Sequence, residues 1–377
     1  MSEIHVKNRE LNILWLTENY YPNRGGMAQS CDRITTGLRD EGVNIHIIHF
    51  SKRKFSRTNL RQGSYTSFMF EEDIEHTLNL LWLYLTNPSN FQYYSHIVAF
   101  GGTLPMLAAP VYSKWLDIPL ITLLRGNDFD VSIFSARKRE TFLYCLHQSG
   151  KICVVSKEKV LKIEKLIANA KVEYIPNGID ISQWQLFKSD TENAQQWRKA
   201  NVGEHKKLIG IFGHLKQKKG LNFFLEVIVK AGIKEKIAIL IVGDLEPELK
   251  TNLKLLDLDL IFLPFLDRLE LLAYYPACDA IAIPSFYDGM PNVLLEAAML
   301  NIPIIASNID GIKDVIGDSN LLFYPGDITD CNRALNEFIA ADENELKLKA
   351  GNIANNISQH FNHKIEAKKY LDIFLTT

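Results

Sequence analysis

The chain has 377 residues, of which 47% are hydrophobic and 23% charged. This length exceeds what one compact core holds, so we expect two domains, and the composition excludes a mainly disordered protein. A formal net charge of −2 argues against general nucleic-acid binding. No apolar run reaches the roughly 18 residues of a membrane helix, and the N-terminal segment lacks signal-peptide features. We therefore expect a cytoplasmic protein whose five cysteines are reduced and mostly buried.

Short apolar runs alternate with longer amphipathic runs along most of the chain, which is typical of stacked βαβ units. After the first strand, residues 27–41 have a helical pattern. A first series of strands is predicted at residues 11–18, 43–50, 96–102, 119–126 and 151–156. A second series is predicted at residues 207–213, 238–243, 260–265, 280–285 and 303–307. The fold class is therefore α/β, with two doubly wound Rossmann-like domains facing a cleft and ligands at the carboxyl ends of the strands.

The polar residues 181–206 lack a strand pattern and are interpreted as the linker between the two series. The last segment, from about residue 331, is helical in pattern and belongs to neither sheet. We expect a first domain over residues 1–185, a second over 186–355, and a C-terminal helix over 356–377.

The stretch "PSFYDGMPNVLLEA" (284–297) ends a strand and begins a buried helix. Pro291 suits the first helical position, where a missing N–H costs nothing. The free amides at the helix start favour hydroxyl oxygens or anions, and they belong to Gly289, Met290, Asn292 and Val293. Asp288 precedes these donors and could bind a polyhydroxyl ligand, whereas Glu296, one turn after Asn292, could grip the hydroxyls of a ribose. An ordinary N-terminal acid and a surface glutamate would give the same pattern.

A second stretch, "GIFGHLKQKKG" (210–220), contains lysines at the carboxyl end of a strand. Lys216, Lys218 and Lys219 could supply countercharge to a diphosphate, and His214 could be a further donor. A solvated basic loop is the alternative.

Two weaker signals lie in the first series. Gly25 and Gly26 form a Gly-Gly turn after the first strand, where backbone could approach a ligand closely, although the spacing is not that of a dinucleotide fingerprint. "LLRGNDFD" (123–130) ends another strand and contains Arg125, Asn127 and Asp128. Its Asp-x-Asp pattern resembles the metal motif of single-domain glycosyltransferases, but two αβ series do not fit that fold, so we expect no metal.

Read together, these motifs resemble family 4 of the retaining glycosyltransferases, which have the GT-B fold. The family signature P-S-x-x-E-G-x-x-x-x-x-x-E-A is matched by "PSFYDGMPNVLLEA", with Asp288 in place of the first Glu and Glu296 as the second. Further similarity lies in "VEYIPNGID", "GHLKQKKG", "LIVGD", "YYPACDAIAIPS" and "NIDGIKDVI". The similarity covers almost the whole chain in the family's order.

This resemblance implies a nucleotide-sugar donor, UDP- or GDP-linked, bound mainly by the C-terminal domain, and an acceptor bound by the N-terminal one. Carried over by position, Asp288 would bond sugar hydroxyls, Glu296 would hold the ribose, and Lys219 would neutralise the diphosphate. The residues assigned to the donor are Gly25, Gly26, Gly213, Lys218, Gly289, Met290, Pro291, Asn292, Val293 and Glu296; Asn127 and Asp128 are assigned to the acceptor side. The resemblance implies no metal, no other cofactor and no enzyme nucleophile, and a final helix that packs on the N-terminal domain.

Three departures from the family pattern concern residues assigned to catalysis alongside Lys219. Asp288 is one methylene shorter than Glu, which bears on the choice of donor sugar. His214 stands where most members have Arg, and Arg125 stands where many have His. We expect Arg125, if it faces the cleft, to restore the charge lost at His214.

The resulting prediction is a hexosyltransferase acting on a saccharide or lipid-linked acceptor in cell-envelope polysaccharide or glycolipid synthesis. An inactive sugar-nucleotide-binding homologue and a nucleotide-sugar epimerase of the same fold are the alternatives. The basic run "SKRKFSRTNLRQG" (51–63) has five basic residues and no acid. It is interpreted either as a solvated loop or as a patch for an anionic acceptor or the inner face of the membrane.

Overall fold

The fold is taken from a computed structural model that describes residues 11–70, 72–90, 92–248 and 256–377. Most of the N-terminal segment in which no signal peptide is expected lies outside these residues. The chain divides into two compact units, of which the first comprises Met1–Ile175 and His363–Thr377 and the second Pro176–Asn362. These bounds lie ten and seven residues from the positions expected from the sequence. Within the described residues, no helix combines the length and apolarity needed to cross a membrane.

The described part of the first unit contains an eight-stranded sheet in the order β3-β4-β2-β1-β5-β6-β7-β8. All neighbouring strands are parallel except β3 and β4, which form an antiparallel edge. The strands are β1 (Asn12–Thr17), β2 (Asn44–Ser51), β3 (Ser56–Asn59), β4 (Gly63–Met69), β5 (His96–Phe100), β6 (Leu120–Leu124), β7 (Lys151–Val154) and β8 (Val172–Tyr174). The central strands are buried on both faces, as expected for a parallel sheet covered by helices.

Helices cover this sheet, and the last helix of the chain is one of them. They are α1 (Gly26–Asp40), α2 (Ile74–Thr86), α3 (Thr103–Leu116), α4 (Asp128–Phe134), α5 (Arg139–Gln148), α6 (Lys157–Leu166) and α14 (His363–Thr376). Helix α14 packs on α1, where Ala367 Cβ would lie only 2.9 Å from a Cβ at Gly37. Tyr370 and Phe374 of α14 are buried in the same core as β1. The C-terminal helix therefore completes the core of the first unit.

The described part of the second unit contains a parallel six-stranded sheet in the order β11-β10-β9-β12-β13-β14. Its strands are β9 (Lys207–Phe212), β10 (Ile237–Val242), β11 (Leu260–Leu263), β12 (Ala280–Ile283), β13 (Ile304–Ser307) and β14 (Leu322–Phe323). Its helices are α7 (Lys188–Asn201), α8 (Leu221–Lys230), α9 (Arg268–Leu271), α10 (Asn292–Met299), α11 (Asp310–Ile316), α12 (Ile328–Ala340) and α13 (Glu343–His360). This is the doubly wound strand order, and it reverses between β9 and β12.

The prediction of a linker over residues 181–206 is wrong, because α7 occupies most of that range. Ala194 of α7 is fully buried, and Arg198 pairs with Asp279 at 2.7 Å. The Trp197 ring lies 5.3 Å from that of Tyr274. Only a few residues of this helix are apolar, so the segment is mainly polar and its sequence shows no clear helical periodicity.

The sequence also misses β3, β4, β8 and β14. Strand β3 is exposed along its whole length and lies inside the basic run 51–63. Strand β4 reads "GSYTSFM", with polar residues at most positions, and it is recognisable mainly from its pairing with β2. Short or polar strands such as these depend on neighbours for their identity rather than on their own pattern.

Candidate functional site

Two loops of the second unit flank the point where its strand order reverses. One loop follows β9 and contains Lys218 and Lys219, and the other follows β12 and contains Asp288. In open α/β sheets, ligands bind beside the carboxyl ends of the strands at this point. The two loops contact each other directly, because the Phe286 amide donates to the Lys218 carbonyl at 2.9 Å.

Asp288 and Lys219 form an ion pair between these loops. The second carboxylate oxygen of Asp288, Oδ1, accepts the Gly289 amide at 2.9 Å. Burial raises the pKa of the Asp288 carboxyl, but Lys219, Lys218 and the Gly289 amide outweigh burial, and the net pKa lies below its ordinary value. The site therefore holds a fixed negative charge beside an ammonium group that is 25% exposed.

The turn around Gly289 is so close to α11 that only glycine fits at position 311. A Cβ at Gly311 would lie 1.8 Å from the Gly289 carbonyl oxygen. On the other side, the buried Asn177 donates from Nδ2 to the Met290 carbonyl at 2.5 Å. These two contacts fix the backbone just before α10, where the first amides of the helix are located.

Glu296 lies inside α10 with only 9% of its surface exposed, which excludes the interpretation as a surface glutamate. Its Oε2 accepts the hydroxyl of Tyr275 at 2.7 Å. Burial, and then the neighbouring Glu296, raise the pKa of Tyr275 well above its ordinary value, so the phenol stays protonated and donates. Tyr275 thus orients the carboxylate that the sequence assigned to a ribose.

The remaining predicted donor residues lie around the same loops. Gly213 faces α10, since a Cβ there would lie 3.8 Å from Val293 Cγ2. Pro291 is the N-cap of α10 rather than its first helical residue, and the helix begins at Asn292. The Lys218 ammonium lies 5.7 Å from the centre of the Tyr287 ring. His214 is exposed.

In the first unit the strand order reverses between β1 and β5, and a cavity of about 200 Å³ lies at that point. Its polar lining includes Glu18, Thr103, Asn127, Asp128, Ser132 and Lys138, and its apolar lining includes Met106 and Phe142. The Glu18 carboxylate accepts the Leu104 amide at 2.7 Å at the start of α3. Burial raises the pKa of Glu18, although the amides of Leu104 and Thr103 lower it in part.

The predicted acceptor residues Asn127 and Asp128 both line this cavity. Asp128 Oδ2 accepts the amides of Arg125 and Gly126, each at 3.3 Å. The next carboxylate, Asp130, pairs with the buried Lys159 at 3.0 Å. The two aspartates of the Asp-x-Asp pattern thus contact different groups: Asp128 accepts backbone amides, and Asp130 pairs with a lysine. Among the described residues, no group of three or more His, Cys, Asp or Glu side chains could hold a metal ion.

The catalytic role expected of Arg125 depended on its side chain facing the cleft, and that condition is not met. Its side chain is fully buried and donates to Glu366 Oε1 at 2.5 Å, to Tyr370 Oη at 2.6 Å and to the Ile175 carbonyl at 2.7 Å. Glu366 also pairs with Arg33 of α1 at 2.8 Å. Arg125 therefore joins the end of β6 to α14, and its charge is already compensated.

Gly25 and Gly26 lie at the start of α1, with Gly25 as the N-cap at a φ of 110°. The next residue, Met27, packs against the turns after β5 and β6, where its Sδ would lie 3.2 Å from a Cβ at Gly126. The Gly-Gly turn therefore lies near the loops that line the cavity of the first unit. The five cysteines are free and buried.

Comparisons with known proteins agree with this architecture. Residues 193–356 match the family model described as glycosyl transferases group 1. A UDP-Gal:alpha-D-GlcNAc-diphosphoundecaprenol alpha-1,3-galactosyltransferase of Escherichia coli is 27% identical over 296 residues, which are 74% of this chain and 67% of that protein.

Two solved structures have a similar fold at low sequence identity. Sucrose-phosphate synthase of Thermosynechococcus elongatus superposes with a TM-score of 0.79 at 16% identity, over 97% of this chain and 100% of that one. Anabaena HepE in complex with UDP-glucose superposes with a TM-score of 0.79 at 18% identity, over 98% and 100%. Residues 193–356 are therefore similar to group 1 glycosyltransferases, and the chain has the GT-B fold.

Sequence reasoning missed Asn177, Tyr275, Gly311 and Glu18 as residues of these sites. The first three lie in stretches whose similarity to the glycosyltransferase pattern is visible, namely "VEYIPNGID", "YYPACDAIAIPS" and "NIDGIKDVI". Glu18 had a signal as well, because it is a carboxylate directly after β1. Each of them acts on a partner distant in sequence, and one sequence does not display such pairs.

Proposed function

We propose that this protein transfers a hexosyl group from a UDP- or GDP-sugar to a saccharide or lipid-linked acceptor, with retention of configuration, in cell-envelope polysaccharide or glycolipid synthesis. The observation that carries the proposal is the Asp288–Lys219 pair at the strand-order reversal of the second unit, inside the segment that matches the group 1 model. The Escherichia coli relative, whose name specifies a UDP-sugar and a lipid-linked acceptor, supports the same class of reaction.

The donor would bind between the loops after β9 and β12. An ammonium group has three N–H donors, so the bond from Lys219 to Asp288 leaves two for phosphate oxygens. The amides at the start of α10 would add donors and the positive end of the helix dipole. Each oxygen of an ionised carboxylate can accept more than one hydrogen bond. The Asp288 carboxylate would therefore also accept hydroxyls of the hexose, and the Glu296 carboxylate would accept those of the ribose.

In the proposed reaction the bond between the anomeric carbon and the diphosphate oxygen breaks, and its electron pair stays on that oxygen. The acceptor oxygen forms the new bond on the same face of the sugar, and its proton passes to the departing diphosphate oxygen. Lys219 and the α10 amides would stabilise the charge that develops there, which is electrostatic catalysis without an enzyme nucleophile. We infer that these groups also replace a metal ion as the countercharge.

The acceptor sugar would enter the cavity of the first unit. A cavity of 150 Å³ already accommodates a six-membered ring such as benzene, so about 200 Å³ suits one sugar ring rather than an oligosaccharide. Asn127, Asp128 and Lys138 would bond its hydroxyls, while Met106 and Phe142 would pack on its C–H face. With a cytoplasmic location, the donor pool would be directly accessible.

The test is an assay of nucleotide release and sugar transfer with UDP- and GDP-sugars, with and without EDTA. We expect one donor to release nucleotide slowly alone and rapidly with a lipid-linked saccharide, unaffected by EDTA. NMR of the product should show the anomeric configuration of the donor. Inverted product, or loss of activity with EDTA, would contradict the proposed chemistry, and no release with any donor would contradict the function.

A further inference from the structure

The basic run 51–63 forms an exposed hairpin rather than an unstructured loop. Strand β3 lies inside it, at the outer edge of the first sheet, and pairs only with β4 among the described strands. Lys52, Arg53 and Lys54 precede the strand and are all exposed. Charged residues at a sheet edge also discourage pairing between sheets, but that purpose does not explain the apolar residues beside them.

Large apolar side chains are exposed next to this hairpin. Phe55 is 52% exposed, and its ring lies 5.4 Å from that of Tyr84 on α2. On the same helix Leu83 is 63% exposed, and on α3 Trp115 is 56% exposed. The Trp115 ring lies 4.7 Å from that of Trp82.

These residues form one continuous surface. Successive residues of a helix point about 100° apart, so Trp82 and Tyr84 lie on either side of Leu83. Tyr84 contacts Phe55 of the hairpin, and Trp82 contacts Trp115 of α3. We call this surface the aromatic-basic face: Lys52, Arg53, Lys54, Phe55, Leu83 and Trp115, with Trp82 and Tyr84 between them.

The charges beside the hairpin are basic, whereas at the α3 end of the face the exposed Lys114 and Asp117 offset each other. Residues 51–63 contain no acid. Arg57 donates to Tyr84 Oη at 3.4 Å, so the basic hairpin lies beside the later turns of α2. The acids Glu72, Asp73 and Glu75 are at the other end of that helix, and Glu75 is about 12 Å from Leu83 along the axis at 1.5 Å per residue.

We propose that the aromatic-basic face docks the first unit onto a membrane surface that contains anionic lipids. Lysine and arginine next to aromatic and leucine side chains are the composition of interfacial binding: the basic groups attract anionic headgroups, and the apolar groups enter the headgroup region. This interaction is separate from the glycosyl-transfer site and does not depend on the proposed reaction.

The test is cosedimentation of the full chain with vesicles of equimolar phosphatidylcholine and phosphatidylglycerol, compared with pure phosphatidylcholine. We expect binding to the anionic vesicles that weakens as salt increases. The triple variant Lys52→Gln, Arg53→Gln, Lys54→Gln should bind about a hundredfold more weakly, since each basic residue contributes roughly fivefold. Leu83→Gln should also weaken binding, with the salt dependence unchanged.

The matched control is the triple variant Lys162→Gln, Lys165→Gln, Lys171→Gln. These lysines lie in α6 and between α6 and β8, at the opposite edge of the same sheet. This variant should bind like the wild type, and the thermal transitions of all variants should establish that each is folded. Equal loss in both triple variants would overturn the proposal, as would equal binding to both vesicle types. Retention by a single-stranded oligonucleotide without vesicle binding would assign the face to nucleic acid instead.

Discussion

At the residue scale, Asp288 is held ionised by Lys219 and Lys218 despite its burial. If it orients the donor sugar, Asp288→Asn should lower kcat/KM by roughly a hundredfold, the effect typical of a misplaced substrate. Steady-state nucleotide release measures this. Asp318→Asn is the matched control, because Asp318 is 99% exposed in the same unit. Equal kcat/KM values for the wild type and Asp288→Asn would contradict a role for Asp288 in orienting the donor sugar.

Glu18 provides a pH test, because burial raises its pKa. Between the ordinary pKa of 4.5 and the higher native pKa, the native state binds more protons than the unfolded state. Wild-type stability should therefore fall as pH rises through this window, and the loss persists at neutral pH.

Glu18→Gln keeps an oxygen that can accept the Leu104 amide but removes the charge. It should melt at a higher temperature than the wild type at pH 7, and the advantage should disappear below the ordinary pKa of 4.5. Thermal unfolding across this pH range measures the difference. An advantage that is the same at every pH would contradict the assignment of the effect to ionisation of Glu18.

Single residues differ in how far the sequence identified them. Asp288, Lys219 and Glu296 were proposed because carboxylates and lysines followed strand ends, and the structure joins the first two in an ion pair. Arg125 also follows a strand end, but its partner Glu366 is 241 residues away. The position of a residue after a strand therefore predicts where it lies in the fold. The direction of its side chain depends on contacts with the rest of the chain.

At the scale of elements, the start of α11 supports the turn that precedes α10. Gly311→Ala would place a Cβ 1.8 Å from the Gly289 carbonyl oxygen, so the turn must move. A displacement of about 1 Å can cost a hundredfold in rate, and we expect that loss in kcat/KM. Gly351→Ala in α13 is the control, because its nearest atom would be 3.8 Å away. Wild-type kinetics for Gly311→Ala would contradict the role of this contact.

Helix α14 is joined to the first unit by the buried pair of Glu366 and Arg125. Glu366→Ala leaves a fully buried guanidinium without its carboxylate, and such changes cost about 3–5 kcal/mol of unfolding free energy. Chemical denaturation measures the free energy of unfolding of the wild type and of the variant. Glu158→Ala is the control, since its pair with Lys162 is nearly half exposed, and it should change stability by about 0.5 kcal/mol or less. Equal effects of the two variants would contradict a structural role for this pair.

Periodicity was sufficient for the strands with long apolar runs but not for α7 or β3. Strand β10 reads "IAILIV" and is buried at every position, so its apolar run is visible in the sequence. Helix α7 buries Ala194 alone among its residues, and β3 buries none. Elements held mainly by polar contacts or by one neighbouring strand leave little apolar pattern to read.

At the scale of the whole molecule, both units place polar side chains where their strand order reverses. Two αβ series of similar size were enough to predict this α/β architecture. The position of the candidate sites then follows, because ligands in such sheets bind where the strand order reverses. The contribution of α14 to the first core was implied only by resemblance, since its helical pattern does not specify where it packs.

The most direct test of the proposed donor site is titration of UDP-, GDP- and ADP-sugars into the wild type and Glu296→Gln, followed by thermal unfolding. We expect one nucleotide class to stabilise the wild type, by about 2.7 kcal/mol at a hundredfold excess over Kd. Glu296→Gln should bind the same donor roughly 10- to 100-fold more weakly, because it loses hydrogen bonds to a charged group. Stabilisation by none of the three, or equal affinity of both proteins, would contradict a nucleotide-sugar site at Asp288 and Glu296.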